Sequence, residues 1–186
     1  MTVVVSDEVL YREYINGNEL SANVLVEKYG DALTLYINGY LKNIHDAEDM
    51  MIEAFSQVFA KERHISGDGG FKAYLFKTAR NLAIRHSKKG KLSFMGLDEL
   101  GFELQSDTLA ETELIEDERK RLLYSAMEKL NKEYREAIYL VYFENMSYRD
   151  AGAVMKKSEK QITKLVYHGK QNLKVLLEKE GFIYDD

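Results

Sequence analysis

The polar side chains between residues 160 and 171 have the chemistry of a nucleic-acid contact. Lysine and amide side chains donate to phosphates, and in the major groove Lys pairs with guanine acceptors while Gln pairs with adenine. Ile162, Val166 and Leu173 recur at helical spacing, so one side of a helix is apolar and the opposite arc stays polar. We name that opposite side the polar arc: Lys160, Gln161, Thr163, Lys164, Tyr167, His168, Lys170 and Gln171. We expect it to contact duplex DNA.

Two helix-start signals position the polar arc. Ser147 is followed three residues later by Asp150, and Ser158 by Gln161. Both pairs fit the capping box, in which a hydroxyl and a side-chain carbonyl satisfy each other's unpaired backbone donors. The sequence therefore predicts two helices, each beginning at the residue after the serine.

The first of these two helices is short, since only about two turns fit before the connection at residues 156–158. Ala151 and Gly152 lie on its inner side, where small residues let a crossing helix come close. A short helix followed by a longer one predicts a helix-turn-helix. The alternative is a solvated helical hairpin, because capping boxes also occur in ordinary helices.

A second candidate for nucleic-acid contact mixes basic and aromatic residues in FKAYLFKTARNLAIRHSKKGK, from residue 71 to 91. Basic side chains follow phosphates, and aromatic or amide groups beside an irregular loop can hold an unstacked base. Phe71, Tyr74 and Phe76 also have the spacing of core residues, and the core is the alternative interpretation of these three. The basic residues are Lys72, Lys77, Arg80, Arg85, His86, Lys88 and Lys89.

Carboxylates cluster near the start of another predicted helix. Asp46, Asp49 and Glu53 share one face by their spacing of three and four. His45 with Asp49 is a candidate metal-ligand pair, but carboxylates at a helix N-terminus are ordinary complements of the helix dipole. We expect a solvated or partner-binding acidic face, with no metal and no cofactor.

Composition limits the classes of protein to which the chain can belong. The 186 residues include no cysteine, which excludes disulfides and thiolate zinc sites, and no proline, which suits an all-α protein. No stretch approaches the roughly 18 apolar residues of a membrane span. We expect a soluble cytoplasmic protein that does not insert into membranes.

Charge divides the chain into three parts, although its net value is only -5. Residues 1–90 contain 11 basic residues (Lys and Arg) and 12 acidic residues (Asp and Glu). Residues 91–118 contain 1 basic and 9 acidic residues, and residues 119–186 contain 14 basic and 10 acidic residues. Such shifts mark domain boundaries. The prediction is two small helical domains, 1–89 and 109–186, joined by a flexible acidic linker at 90–108 and followed by a helix that begins near Thr108.

The N-terminal part is predicted to be a helical bundle. A leading helix covers Asp7 to Ile15, two longer helices cover Ser21 to Lys42 and Asp46 to Arg63, and a further helix starts at about Gly70. The turn-rich HISGDGG loop at 64–70 precedes it. The predicted core residues are Leu25, Tyr29, Leu33, Tyr36, Ile37, Tyr40, Met50, Phe55, Val58, Phe59, Leu75, Thr78, Leu82 and Ala83.

Three segments together resemble the extracytoplasmic-function (ECF) group of sigma-70 type initiation factors of bacterial RNA polymerase. DAEDMMIEAFSQVF, at 46–59, resembles the helix of that family that docks on the polymerase clamp. Residues 71–86 resemble its promoter-melting segment, which recognises the minus-10 element. Residues 130–177 resemble the domain that recognises the minus-35 element. The three segments occur in the order and spacing of the family.

The resemblance implies a non-enzymatic subunit that binds core RNA polymerase, through the beta-prime clamp and beta subunits, and promoter DNA. It assigns the polar arc to the minus-35 element and Asp46, Glu48, Asp49 and Glu53 to the clamp. Many members of the family are held by an anti-sigma factor, which the resemblance adds as a candidate partner. The minus-10 residues that it implies are His64, Ser66, Asp68, Lys72, Lys77, Arg80, Asn81 and Arg85.

Two other functions compete with this interpretation. A stand-alone helix-turn-helix regulator with a helical sensor domain would bind promoters without polymerase. A carboxylate-bridged metalloenzyme in the N-terminal bundle would contain metal after purification.

Five positions differ from the residues usual in the family. Ile52 stands where a polar Gln is usual, Tyr74 where Trp is usual, and Leu165 where the recognition helix usually carries a basic residue. Lys156 occupies the turn where Gly is usual, at a cost of about 1 kcal/mol if its backbone is left-handed. Gly169 replaces the usual Ala inside the long helix, with a helix-propensity cost of about 1 kcal/mol.

Overall fold

The computed structural model describes residues 5–61, 70–86 and 111–182, including their side chains except at 111–117. All regular structure in these ranges is helical. The helices are α1 (Asp7–Ile15), α2 (Glu19–Leu41), α3 (Ile44–Ala60), α4 (Gly70–His86), α5 (Glu111–Lys129), α6 (Lys132–Ile138), α7 (Tyr148–Met155) and α8 (Glu159–Lys179), with one π-helical turn (Tyr139–Phe143) directly after α6. The predicted all-α class is confirmed.

Local capping explains where the N-terminal helices begin and end. The Ser6 side chain accepts from the Val9 N–H, and α1 has the predicted bounds. Asn43 accepts from the N–H groups of His45 and Asp46, so α3 begins two residues earlier than predicted. The chain enters this cap through Lys42, which is left-handed (φ 55°) and ends α2.

The core of the N-terminal half is built around α2. Leu25, Leu33 and Ile37 are fully buried there, and every core residue predicted for this helix is buried. Tyr11 connects α1 to α3, because its hydroxyl donates to the Val58 carbonyl at 3.1 Å. Phe71 and Phe76 of α4 are also fully buried. The apolar periodicity thus identified most of this core, although Met50, Phe59 and Tyr74 are only partly buried.

The C-terminal half is held together by a buried arginine. Arg135 of α6 donates through Nε to the Met127 carbonyl at 2.7 Å and through a terminal nitrogen to the Leu130 carbonyl at 3.1 Å. These carbonyls lie at the end of α5, where helix carbonyls lack partners of their own. Arg135 therefore caps α5 and fixes its angle to α6.

The two halves contact each other directly. Helix α4 packs against α7, and one apolar core runs from α2, α3 and α4 into the π-helical turn, α7 and α8. The predicted linker at 90–108 and the predicted helix start near Thr108 lie outside the described residues.

Within the described ranges, no helix combines the length and hydrophobicity needed to cross a membrane.

Candidate nucleic-acid interface

Helices α7 and α8 form the predicted helix-turn-helix, and both begin at the predicted residues. At the start of α8, the Ser158 side chain accepts from the Gln161 N–H, and the Ser158 N–H donates to Gln161 Oε1 at 2.8 Å. This is the complete capping box. At the start of α7, Ser147 Oγ accepts from the Asp150 N–H at 3.1 Å and its hydroxyl donates to the Asp150 carboxylate.

The turn between α7 and α8 is tight and left-handed at one residue. Lys156 has a φ of 58°, which is the conformation that favours glycine. The Lys157 N–H then donates to the Gly152 carbonyl at 2.9 Å. Ala151 and Gly152 are buried on the inner side of α7, as predicted. The turn thus sets α8 across α7 at close range.

All eight residues of the polar arc are exposed on α8. The opposite side of the helix is anchored by Ile162 and Val166, which are 0% and 2% exposed. Gly169 is buried too, and a Cβ there would lie 2.9 Å from Ile138 Cδ1. The glycine that costs helix propensity therefore allows α6 and α8 to pack closely, which the sequence did not indicate.

Two members of the polar arc already hold local hydrogen bonds. Gln161 Oε1 belongs to the capping box, and the Thr163 hydroxyl donates to the Glu159 carbonyl at 2.9 Å. The ring of Tyr167, 60% exposed, lies edge-on to that of His168 with centroids 5.3 Å apart. Lys164 and His168 line a shallow surface depression. Lys164, Tyr167 and His168 therefore present their polar groups to solvent.

The structure adds two residues of α6 to this surface that sequence reasoning missed. Glu133 holds Lys157 of the turn, with Oε1 2.8 Å from Nζ. The Tyr134 ring lies 6.4 Å from the His168 ring, centroid to centroid. Both line the same depression as Lys164. Their proximity depends on how α6 crosses α8, which no local pattern encodes.

The minus-10 residues predicted on α4 fall into two environments. Lys72, Lys77, Arg80 and Asn81 are partly buried, whereas Arg85 is exposed near the end of the helix. The predicted residues of the preceding loop lie outside the described residues: His64, Ser66 and Asp68.

Arg80 of α4 contacts a buried carboxylate of the other half. Its Nε donates to Glu136 Oε1 at 2.8 Å, and the same oxygen accepts from the Tyr36 hydroxyl at 2.8 Å and from the Tyr40 hydroxyl. Burial raises the pKa of both phenols well above the ordinary value, and the nearby Glu136 charge adds to this. Burial alone would lower the pKa of Arg80, but Glu136 raises it, so the guanidinium stays charged.

Lys72 contacts the other half in the same way. Its Nζ lies 2.9 Å from Glu144 Oε2 and also donates to the Glu144 carbonyl. The ammonium stands over the rings of Tyr29 and Phe76, 5.4 and 5.6 Å from their centroids. These are favourable cation–π distances. Lys72 is therefore surrounded by groups that stabilise its charge.

The predicted acidic face of α3 is open to solvent around an apolar residue. Glu48, Asp49 and Glu53 are exposed, and Ile52 among them is 59% exposed. Asp46 is partly buried, with Oδ2 3.8 Å from His86 Nε2. Among the side chains that the structure describes, no three His, Asp or Glu residues are grouped as metal ligands.

Comparison with known proteins identifies both halves. Residues 25–92 match the family model described as Sigma-70 region 2, and residues 120–173 match Sigma-70, region 4. The chain is 26% identical over 157 residues to the ECF RNA polymerase sigma factor SigM of Bacillus subtilis (strain 168), covering 84% of this chain and 95% of SigM. It is 23% identical over 164 residues to the ECF RNA polymerase sigma-E factor of Escherichia coli (strain K12), covering 83% of this chain and 85% of that protein.

A solved structure has the same fold. The structure of CnrH in complex with the cytosolic domain of CnrY matches with a TM-score of 0.61 and 22% sequence identity. The match covers 93% of this chain and 97% of that one.

Proposed function

The chain belongs to the extracytoplasmic-function group of the sigma-70 family and is an RNA polymerase sigma factor, and on this premise we propose how its surfaces divide promoter recognition between them. The N-terminal half, 1–89, binds core polymerase and the minus-10 element. The C-terminal half, 109–186, binds the minus-35 element. The observation that carries this proposal is the exposure of the whole polar arc on a helix whose other side is fixed in the core.

The polar arc contacts the minus-35 element in the major groove. Lys164, Tyr167 and His168 lie at its centre, where side chains on an inserted helix reach base edges. Gln161 Oε1 also fixes the helix start, and the Thr163 hydroxyl donates to the Glu159 carbonyl, which leaves the Gln161 amide N–H groups and the Thr163 oxygen lone pairs for DNA. Lys160, Lys170 and Gln171 flank them and suit phosphates.

The promoter-facing residues of the N-terminal half lie on α4. Lys72, Lys77, Arg80 and Arg85 supply positive charge for phosphates, and the Asn81 amide has the donors and acceptors to hold a flipped base. The phosphodiester chemistry itself belongs to the polymerase, so the sigma factor needs no catalytic residue.

The acidic face of α3 is proposed as the clamp contact. Glu48, Asp49 and Glu53 surround Ile52, which gives an apolar centre with a charged rim. Interfaces of this composition obtain their affinity from the buried centre and their orientation from the rim charges. A basic surface on the polymerase is the complementary partner.

Two further proposals follow from the sigma-factor assignment. The chain works in the cytoplasm, where bacterial promoters and polymerase are. A regulatory protein partner is proposed as well, an anti-sigma factor, because the similar protein CnrH is described in complex with the cytosolic domain of CnrY.

Run-off transcription tests the proposed function. Purified protein is added to core RNA polymerase on a library of bacterial promoters, and transcripts are sequenced. We expect a defined set of start sites that share two upstream elements. Core polymerase alone is the control, and gel shifts with and without core separate a sigma factor from a stand-alone regulator. Tight sequence-specific binding by the free protein, without transcription in the presence of core, would contradict the proposal.

A further inference from the structure

We propose that the free protein has a closed state in which two glutamates of the C-terminal half, Glu136 and Glu144, hold two promoter-facing cations of α4, Arg80 and Lys72. DNA then gains access to that side of α4 only after the halves separate. The second part rests on the proposed function, because the promoter role of Arg80 and Lys72 belongs to it.

Glu136 forms the more buried of the two contacts. Its side chain is 6% exposed, and its Oε1 accepts hydrogen bonds from Tyr36, Tyr40 and Arg80, all of them in the other half. Burying a carboxylate costs free energy unless several donors satisfy it. For Glu136, all three of these donors come from the N-terminal half and not from its own half. Glu136 is therefore suited to burial only while the halves are in contact.

Lys72 and Glu144 repeat the arrangement at the other end of the contact. Their side chains are 19% and 9% exposed, with the ion pair at 2.9 Å. Lys72 and Arg80 are eight residues apart, and so are Glu136 and Glu144. Two cations of α4 thus meet two carboxylates of the C-terminal half, and the two ion pairs together set the register between the halves.

Apolar packing surrounds these ion pairs but is less specific. The Tyr36 and Tyr139 rings stack across the contact, with centroids 5.9 Å apart and an interplanar angle of 17°. Apolar contact of this kind tolerates sliding, whereas buried ion pairs strongly disfavour states in which one partner remains unpaired. The glutamates therefore select the closed arrangement over other compact ones.

In the closed state both cations are shielded from phosphate, since only 17% of the Arg80 side chain and 19% of the Lys72 side chain are exposed. A guanidinium recognises carboxylate and phosphate with the same planar donors, so Glu136 and a DNA phosphate compete for Arg80. The same competition applies to Lys72, whose ammonium is held by Glu144. The closed state consequently lowers the affinity of the free protein for DNA by the fraction of molecules that are open.

The test removes the charge of Glu136 and measures the distance between the halves. The chain has no cysteine, so Glu19→Cys on α2 and Asn172→Cys on α8, both exposed, provide unique labelling sites. Spin-label distance distributions are recorded for this labelled parent, for Glu136→Gln, and for Glu118→Gln, an exposed glutamate on α5 of the same half, as the control with the same change of charge. We expect a narrow distribution for parent and control and a broader, longer one for Glu136→Gln. A narrow, unchanged distribution for folded Glu136→Gln would overturn the closed state.

A second measurement tests access to DNA. Binding of a short, mixed-sequence, fluorescein-labelled single-stranded oligonucleotide to the free proteins is followed by anisotropy at low salt. If roughly nine in ten molecules are closed, Glu136→Gln should bind about tenfold more tightly than parent and control. If Glu136→Gln shows longer distances between the halves but does not bind the oligonucleotide more tightly, the masking of α4 is refuted. The sigma-factor assignment is then unaffected, because the transcription assay tests it separately. If circular dichroism shows that Glu136→Gln does not fold, both measurements are made on Glu144→Gln instead. We expect the same longer distances and tighter oligonucleotide binding, and the same results would contradict the proposal.

Discussion

The backbone carbonyl oxygen of Lys157 lies only 2.6 Å from the point at which a Cβ on Gly152 would stand. Real Cβ atoms do not approach a carbonyl so closely, and the carbonyl cannot move without opening the turn of the helix-turn-helix. The angle between α7 and α8, and with it the direction of the polar arc, depends on this missing side chain.

Gly152→Ala should therefore destabilise the protein by about 1–3 kcal/mol, as overpacking does. Gly30→Ala in α2 is the matched control, since a Cβ there meets no atom within 4 Å and alanine gains up to about 1 kcal/mol of helix propensity. Urea unfolding followed by circular dichroism measures both. If Gly152→Ala is as stable as the parent, the turn can move to accommodate the added methyl group.

Lys156→Gly should have the opposite effect on the same turn. Lys156 is left-handed at φ 58°, a conformation in which glycine avoids the strain of a Cβ, so we expect a gain of about 1 kcal/mol. Lys164→Gly, in the interior of α8, should instead lose about 1 kcal/mol. If thermal unfolding shows a comparable loss of stability for Lys156→Gly and Lys164→Gly, the left-handed backbone of Lys156 carries no strain.

Alkaline pH should unfold the protein through its buried phenols. Burial raises the pKa of Tyr29, Tyr36, Tyr40 and Tyr139, assisted by the carboxylates beside them. A folded pKa above the unfolded value of about 10 means that this stability is complete below pH 10 and declines as the pH rises beyond it. We expect part of the phenolate absorbance at 295 nm to appear only as helicity is lost, and Tyr36→Phe to reduce that part. A complete phenolate signal from a fully helical protein would disprove this.

Asp49→Lys should weaken binding to core polymerase. The Asp49 side chain is exposed on the acidic face of α3, and losing one partly desolvated charge contact costs roughly 1–3 kcal/mol. Glu27→Lys, an exposed site on α2, makes the same change of charge away from that face. Fluorescence anisotropy of labelled protein titrated with core measures both, and equal affinities would remove α3 from the interface.

Replacing both Lys164 and His168 with alanine should abolish promoter selectivity while core binding is retained. Each lost base contact is worth about 1–3 kcal/mol of discrimination. Lys132→Ala, an exposed lysine on α6, is the control for a general loss of positive charge. Run-off transcription on the promoter library provides the measurement, and an unchanged set of start sites would contradict the assignment of these two residues.

The sequence by itself determined the helices and most of their buried sides. Ser147 and Ser158 specified the starts of α7 and α8, because capping involves residues three apart and needs no distant partner. Exposure of the polar arc followed from Ile162 and Val166 for the same reason, since helical periodicity divides a helix into sides.

Only the tertiary structure decided where the polar residues between the halves go. Glu136 carries no sequence signal for burial, because its donors Tyr36 and Tyr40 lie 100 and 96 residues away along the chain. Whether a carboxylate is buried depends on donors that distant segments bring to it, and local patterns do not contain that information. The close approach of Gly169 to Ile138 was hidden likewise, since helix propensity assigns glycine a cost and only the packing of α6 against α8 shows what its missing Cβ makes room for.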